Sequence, residues 1–174
     1  PKIDFMAKDS IGRTWQVATI QLDFNQPKNF GLTCVNESGE KEPVLMIHCA
    51  IMGSIERFMS VLIEHFAGVF PLWLSPVQVA ILPVADRHVE FAEKLAKQLR
   101  ALDIRVDVDT STESVGKKIR NAEKQKYPRM LVVGDKEAEG AELTVRIRGQ
   151  QDQVAMKTEE FIAQTKEAIE KRSI

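Results

Sequence analysis

Long apolar runs are missing from this sequence, and so is a leader with a basic start and a small-residue cleavage site. That leaves no signal for a membrane-spanning helix or for secretion, and the expected location is the cytoplasm. Cysteine is scarce: Cys34 and Cys49 are the only two. A disulfide framework is therefore excluded. Charge of one sign is also missing. The formal net charge of −1 gives no overall pull toward nucleic acid, so any such argument rests on local charge. Aromatic residues make up 6% of the chain, and Tyr127 stands alone in the most basic stretch, so base stacking has little to work with there. There is no GxGxxG, no P-loop and no serine-nucleophile elbow. Internal repeats and low-complexity tracts are absent too. What remains, 44% hydrophobic and 28% charged, is the composition of an ordinary globular protein. The chain opens Pro1-Lys2-Ile3, without methionine and already in strand pattern, as a fragment or a processed product would.

Residues 1–48 read as an antiparallel β region. A short strand is expected over residues 3–7 and a longer one over 15–24. In the second, Val17, Thr19, Gln21 and Asp23 alternate with Ala18, Ile20, Leu22 and Phe24. Residues 25–29 are expected as a turn. Residues 31–35 and 44–48 are expected to pair as a hairpin across the polar loop 36–42. From Ser54 the apolar residues Ile55, Phe58, Met59, Leu62, Ile63 and Phe66 recur at helical spacing to about residue 67. Gly68, Pro71 and Pro76 mark the best boundary, and the apolar residues among them indicate a packed connector.

Beyond it the rhythm changes. Residues 77–84 form a continuous apolar strand, as in a parallel sheet covered on both faces. A helix capped by Asp86 follows, then a strand over 104–108, a helix over 114–126, strands over 129–133, 143–148 and 154–156, and a closing helix over 158–171. Strand–helix–strand–helix–strand implies an α/β sheet.

The chemistry concentrates at His48-Cys49-Ala50-Ile51-Met52-Gly53-Ser54-Ile55-Glu56-Arg57-Phe58: a strand end, a glycine turn and a helix start. Ser54 is the expected N-cap. Where a capping box would place Glu or Gln, the sequence has Arg57. A cation in a first turn opposes the helix dipole at a cost of about 0.3–1 kcal/mol. Free amides, a hydroxyl and a guanidinium together suit a phosphate, and an arginine reaching solvent or a carboxylate is the plainer alternative. His48, taken alone, reads as a hydrogen-bonded structural residue. Adjacent strand residues point to opposite faces, so His48 and Cys49 do not share an ion, and one imidazole makes no zinc site. His65 lies late in a helix. His88, in a first turn, is expected to be exposed. Lys117, Lys118, Arg120, Lys124, Lys126, Arg129, Lys136, Arg146 and Arg148 crowd the third quarter of the chain; a solvated face is the default reading and nucleic acid the second. Gly134-Asp135-Lys136-Glu137 is expected as a turn at the carboxyl end of a strand, where open α/β sheets place ligands.

Gly12-Arg13-Thr14-Trp15-Gln16, Thr19-Ile20-Gln21-Leu22-Asp23-Phe24, the stretch from His48 to Phe58, Pro71-Leu72-Trp73-Leu74-Ser75-Pro76-Val77-Gln78-Val79 and Val132-Val133-Gly134-Asp135-Lys136-Glu137 resemble threonyl-tRNA synthetases, in order and over essentially the whole chain. The resemblance implies an α+β part followed by an α/β part: residues 1–70 as the end of a class II antiparallel-sheet catalytic core, 71–75 as connector, and 76–174 as a mixed-sheet anticodon-binding domain. It implies that Arg57 is the motif 3 arginine on ATP, with Lys2, Gln16, Thr19 and Ser54 also at the ATP site. Gln21 falls in the threonine pocket. His48 matches one of three protein ligands of the family's zinc, the other two lying upstream of Pro1 with motifs 1 and 2. Arg120, Lys136, Glu137 and Arg146 match positions near the anticodon. The implied activity is threonine–tRNA ligation: threonine attacks ATP, bound with Mg, to give threonyl-adenylate, and then passes to the threonine tRNA. The family acts as a homodimer. This chain alone, on that reading, is expected to be inactive. Cys34, Cys49, Asp103 and the pair Ser111-Thr112 depart from the family pattern. Two alternatives are a non-catalytic tRNA-binding module derived from a synthetase and a general α/β ligand-binding domain.

Overall fold

The computed structural model describes residues 1–173. Contacts divide the chain into two units, Pro1–Gly68 and the part from Val69 onward. The first contains β1 (Lys2–Lys8), β2 (Thr14–Asp23), α1 (Gln26–Asn29), β3 (Thr33–Val35), β4 (Lys41–Pro43), β5 (Met46–Ala50) and α2 (Ile55–Phe66). β1, β2 and β5 form an antiparallel sheet with β2 in the middle. Its register aligns Lys2 with Gln21 and Gln21 with His48, and aligns Asp4 with Thr19 and Thr19 with Ala50. Cross-strand partners share a face, so these residues stand on one side of the sheet.

Three expectations for this unit change. The 25–29 turn closes into a single helical turn, α1, whose start is tied by the Asp23 carboxylate accepting from the Asn25 and Gln26 amides. The strand at 44–48 does not pair with 31–35. β3 instead meets β4 in its own two-stranded sheet, and β5 joins β2. The reason is the turn, which is shorter than the polar stretch: the Asn36 side chain accepts from the Ser38 and Glu40 amides, and the strands resume at once. The register of β1 against β2 also slips between Phe5 and Met6, so Met6 faces Gln16 and Val17 is the extra residue of a bulge.

α2 begins at its Ser54 cap and ends at Ala67, which is left-handed at φ 48°. Among the described residues of this unit, only Asp9 and Pro27 are buried. Ile3, Ile47 and Ile55 remain more than half exposed, so the unit closes no apolar core by itself.

The second unit runs β6 (Val79–Pro83), a 3₁₀ turn (Asp86–His88), α3 (Val89–Arg100), β7 (Val106–Val108), α4 (Val115–Lys124), β8 (Arg129–Val133), α5 (Asp135–Ala138), β9 (Leu143–Ile147), β10 (Val154–Met156) and α6 (Thr158–Glu170). The sheet order is β10-β9-β8-β6-β7. β6 is parallel to β7 and β8; β9 and β10 run antiparallel. Val79 and Ile81 point to one face, where they meet α3, Val145 and Phe161; Ala80 and Leu82 meet Ala122 and Met130 on the other. β6 is thus covered on both sides, as its unbroken apolar run requires.

The connector packs as part of this unit. The Arg105 guanidinium donates to the Ser75 and Trp73 carbonyls at 3.0 and 2.8 Å, and the buried Gln78 amide donates to Leu72 O at 3.1 Å.

Candidate functional site

In the first unit the sheet side that carries Gln21 gathers the polar residues. Without the bulge, alternation would put Gln16 with Ala18 on the other side. The extra residue re-aims it, and its amide donates to Asp4 Oδ1 at 2.8 Å. The Lys2 ammonium lies 3.0 Å from Asp4 Oδ2. Thr19, opposite Asp4 on β2, and then Lys2 hold the Asp4 carboxyl below its usual range, while the Thr19 hydroxyl itself donates to Ile3 O at 3.2 Å. Three predicted ATP positions, Lys2, Gln16 and Thr19, therefore converge on a carboxylate that sequence reasoning did not single out. Two-residue alternation from Lys2 was the signal for Asp4.

Arg57 reaches back from α2. Its Nη1 donates to Gln16 O at 3.3 Å, and its guanidinium carbon lies 5.7 Å from the Trp15 ring centre. The Ser54 hydroxyl accepts from the Arg57 amide at 3.5 Å and donates to Glu56 at 2.8 Å. The approach of α2 to β2 is set by Gly53, at φ +50°. A Cβ there would lie 3.2 Å from Val17 O. Trp15 is itself fixed: its indole donates to Asp9 Oδ2 at 2.9 Å, and Arg13 Nε donates to the same oxygen at 2.6 Å. Burial opposes ionisation of Asp9, but the bonds from Trp15 and Arg13 outweigh it and hold the carboxyl down at about 2.

His48 pairs with Asp23 at 2.8 Å through Nε2. The Gln26 amide first, and His48 next, hold Asp23 below its usual range. Cys49 aligns with Ile20, on the opposite face from His48. No group of three or more His, Cys, Asp or Glu able to hold a metal exists among the described residues. These residues by themselves do not fit a tetrahedral zinc.

The second unit redistributes the basic stretch. Lys118 is buried, not solvated: its ammonium donates to Pro83 O at 3.1 Å and Asp109 O at 3.0 Å, joining the ends of β6 and β7. Arg129 binds the Thr165 hydroxyl and lies over the Phe161 ring; Arg148 donates to Phe70 O at 2.6 Å. Lys117 pairs with Glu113. Among the described residues Arg120 and Lys136 have no such tie, and Arg146 has only a long ion pair to Glu123 at 3.9 Å. Arg120 is exposed on α4, one turn before Glu123, which lies 3.9 Å from Arg146. Arg146 and Thr144 are two residues apart on β9 and share a face. The Thr144 hydroxyl donates to Glu137 at 2.6 Å, and the Gly134 amide donates to Glu137's other oxygen at 2.9 Å. Burial raises the Glu137 carboxyl, but these bonds outweigh it and leave it below its usual range. Arg146 thus lies on the sheet face of Thr144, the residue that ties Glu137, and lines a cavity of about 230 Å³ with Arg148, Tyr127 and Glu123.

His88 is not exposed, as its first-turn position suggested; it is 2% exposed. Its ring folds back so that Nδ1 accepts the Ala85 amide and Nε2 meets Asp135 at 2.9 Å.

Two family descriptions match these units: the class II tRNA synthetase core domain (G, H, P, S and T) over residues 1–66, and the anticodon binding domain over residues 78–168. The antiparallel sheet matching that core, followed by this mixed sheet, defines a class II aminoacyl-tRNA synthetase region. The threonine–tRNA ligases of Desulforamulus reducens and Sulfurihydrogenibium sp. are each 51% identical over 174 residues, covering 100% of this chain and 27% of theirs. The crystal structure of the RNA binding domain of threonyl-tRNA synthetase from Cryptosporidium parvum Iowa II superposes with a TM-score of 0.84 at 34% identity, covering 96% of this chain and 42% of that one. The chain belongs to the threonyl-tRNA synthetase family, of which it carries the carboxyl-terminal region. It spans about a quarter of the length of the curated relatives it matches.

Proposed function

We propose that this chain serves threonine–tRNA ligation: residues 1–70 contribute the end of the catalytic core, 71–75 the connector, and 76–174 the anticodon-binding domain. The observation that carries the reading is the junction at Gly53–Arg57. There a helix start, a hydroxyl and a guanidinium adjoin a sheet face bearing Lys2, Gln16, Thr19, Gln21 and His48. Arg57 is the ATP phosphate ligand, with its guanidinium steered by Gln16 O and the Trp15 ring. Ser54, Gln16 and Thr19 complete the ATP contacts. For Lys2 to meet a phosphate, it must exchange its ion pair with Asp4. Gln21 and His48, directly opposite each other on β2 and β5, face threonine. A zinc ion on His48 requires two further ligands from outside these residues. ATP with Mg, threonine and the threonine tRNA are the substrates, the working form is a homodimer, and the compartment is the cytoplasm. No described helix is long and apolar enough to cross a membrane.

In the second unit, Lys136, Glu137 and Arg146, with Arg120 on the neighbouring helix, receive the anticodon. Cations hold phosphate and the tied Glu137 carboxylate reads a base edge. The test is threonine-dependent ATP–pyrophosphate exchange in a complete ligase carrying these residues. Arg57→Ala is expected to lower it about a hundredfold or more. Exchange within a few-fold of the parent removes Arg57 from the phosphates.

A further inference from the structure

The anticodon reading gives no role to the best-tied polar group in the second unit. Asp135 follows β8 directly and opens α5. Its carboxylate receives a two-pronged bond from Arg87, Nε to Oδ1 at 2.9 Å and Nη2 to Oδ2 at 2.8 Å. It also receives His88 Nε2 at 2.9 Å. Because His88 Nδ1 already accepts the Ala85 amide at 3.2 Å, the ring proton sits on Nε2 and points at Asp135. Arg87 first, and His88 next, push the Asp135 carboxyl well below its usual range. The clamp spans the turns that follow two adjacent parallel strands.

Strand pairing does not require it. The β6–β8 ladder already runs to Pro83 opposite Val133, and the Val84 amide donates to Val133 O at 2.9 Å. The clamp acts on what comes next. α5 is a single turn of four residues, too short to hold its own geometry. It is anchored at Asp135 by the clamp and at Glu137 by Gly134 and Thr144. Lys136 lies between the two anchors.

We propose that Asp135, gripped by Arg87 and His88, is a positioning residue that fixes the α5 turn so that Lys136 and Glu137 meet the RNA in one arrangement. The inference rests on the anticodon-binding reading above. Asp135 touches no base; it narrows the orientations available to the two residues that do. Arg87, although exposed, acts here as a clamp arm and not as a phosphate contact: its Nε and Nη2 both bond the carboxylate.

The experiment measures binding of the full 174-residue chain to two RNA stem-loops, one with a threonine anticodon and one with the anticodon bases replaced, across a salt series. Asp135→Asn removes the charge and keeps the size. It is expected to cut the preference for the threonine loop about tenfold while leaving the slope of log affinity against log salt unchanged. Arg87→Ala is expected to cut the preference about threefold, again with unchanged slope. A merely structural staple would weaken both RNAs equally and leave the preference intact. That result overturns the proposal, as does a preference within twofold of the parent in a variant that melts normally. A slope lower by about one for Arg87→Ala makes Arg87 a phosphate contact and also overturns it. If Asp135→Asn does not fold, the exposed Arg87→Ala decides alone. A parent chain with no preference defeats the anticodon reading itself, and this inference with it. A parent that discriminates while the variants discriminate equally defeats only the clamp.

Discussion

The Asp9 carboxylate accepts from the Ile11 and Arg13 amides, from Arg13 Nε and from the Trp15 indole. It thereby sets the ring over which Arg57 lies. Its charge is held by those donors against burial, so its folded pKa is about 2, below the ordinary 3.8. The sign follows: a depressed carboxylate stabilises the fold above its unfolded value, and that contribution is lost as pH falls from 3.8 toward 2. The Trp15 indole N–H resonance is expected to titrate near 2; a midpoint at 3.8 contradicts the arrangement. Asp9→Asn is expected to lower the urea midpoint at pH 7 and to flatten its fall in acid. Asp9 was not legible as a site residue, because a carboxylate in a polar turn has no distinguishing spacing; Asp4 was marked only by its two-residue alternation with Lys2. Arg57 was legible because a cation in a first turn contradicts the dipole rule and asks for a reason.

Elements followed the sequence where periodicity was strong. The apolar runs at β6 and β8 and the helical spacing of α2 and α3 predict their elements to within a few residues. The rest was set by contacts distant in sequence. β5 chose β2 over β3, and the bulge at Val17 turned Gln16 across the sheet; alternation alone contains neither event. His88 is buried, with its ring folded back onto the Ala85 amide and Asp135, a partner 47 residues away that its first-turn position does not announce. Lys118 was hidden among the basic residues for the same reason. Lys118→Met leaves the Pro83 and Asp109 carbonyls without a donor and is expected to cost the second unit about 1–3 kcal/mol in chemical denaturation. No measurable loss would mean that the ammonium does not join those strand ends. Gly53→Ala forces a side chain into a left-handed position against Val17 O. It is expected to cost about 1–2 kcal/mol in the first unit; an unchanged midpoint would mean the turn at Gly53 relaxes freely.

The molecule as a whole pairs a unit without a closed core and a unit built around one. Net charge carried little information about RNA, because several of the basic residues in the third quarter are occupied inside the fold. What remains for phosphate is a smaller set that includes Lys136, next to Glu137 on α5, and Arg146, two residues along β9 from the Thr144 that ties Glu137. Arg146→Ala is expected to weaken tRNA binding and to reduce the salt slope by about one. A weaker complex with an unchanged slope would place Arg146 away from phosphate. The most direct test of the whole account is the affinity of this chain for threonine tRNA beside the same tRNA with its anticodon replaced. The account predicts a preference of about tenfold or more for the threonine anticodon, with both affinities falling as salt rises. Equal binding of the two tRNAs would contradict it.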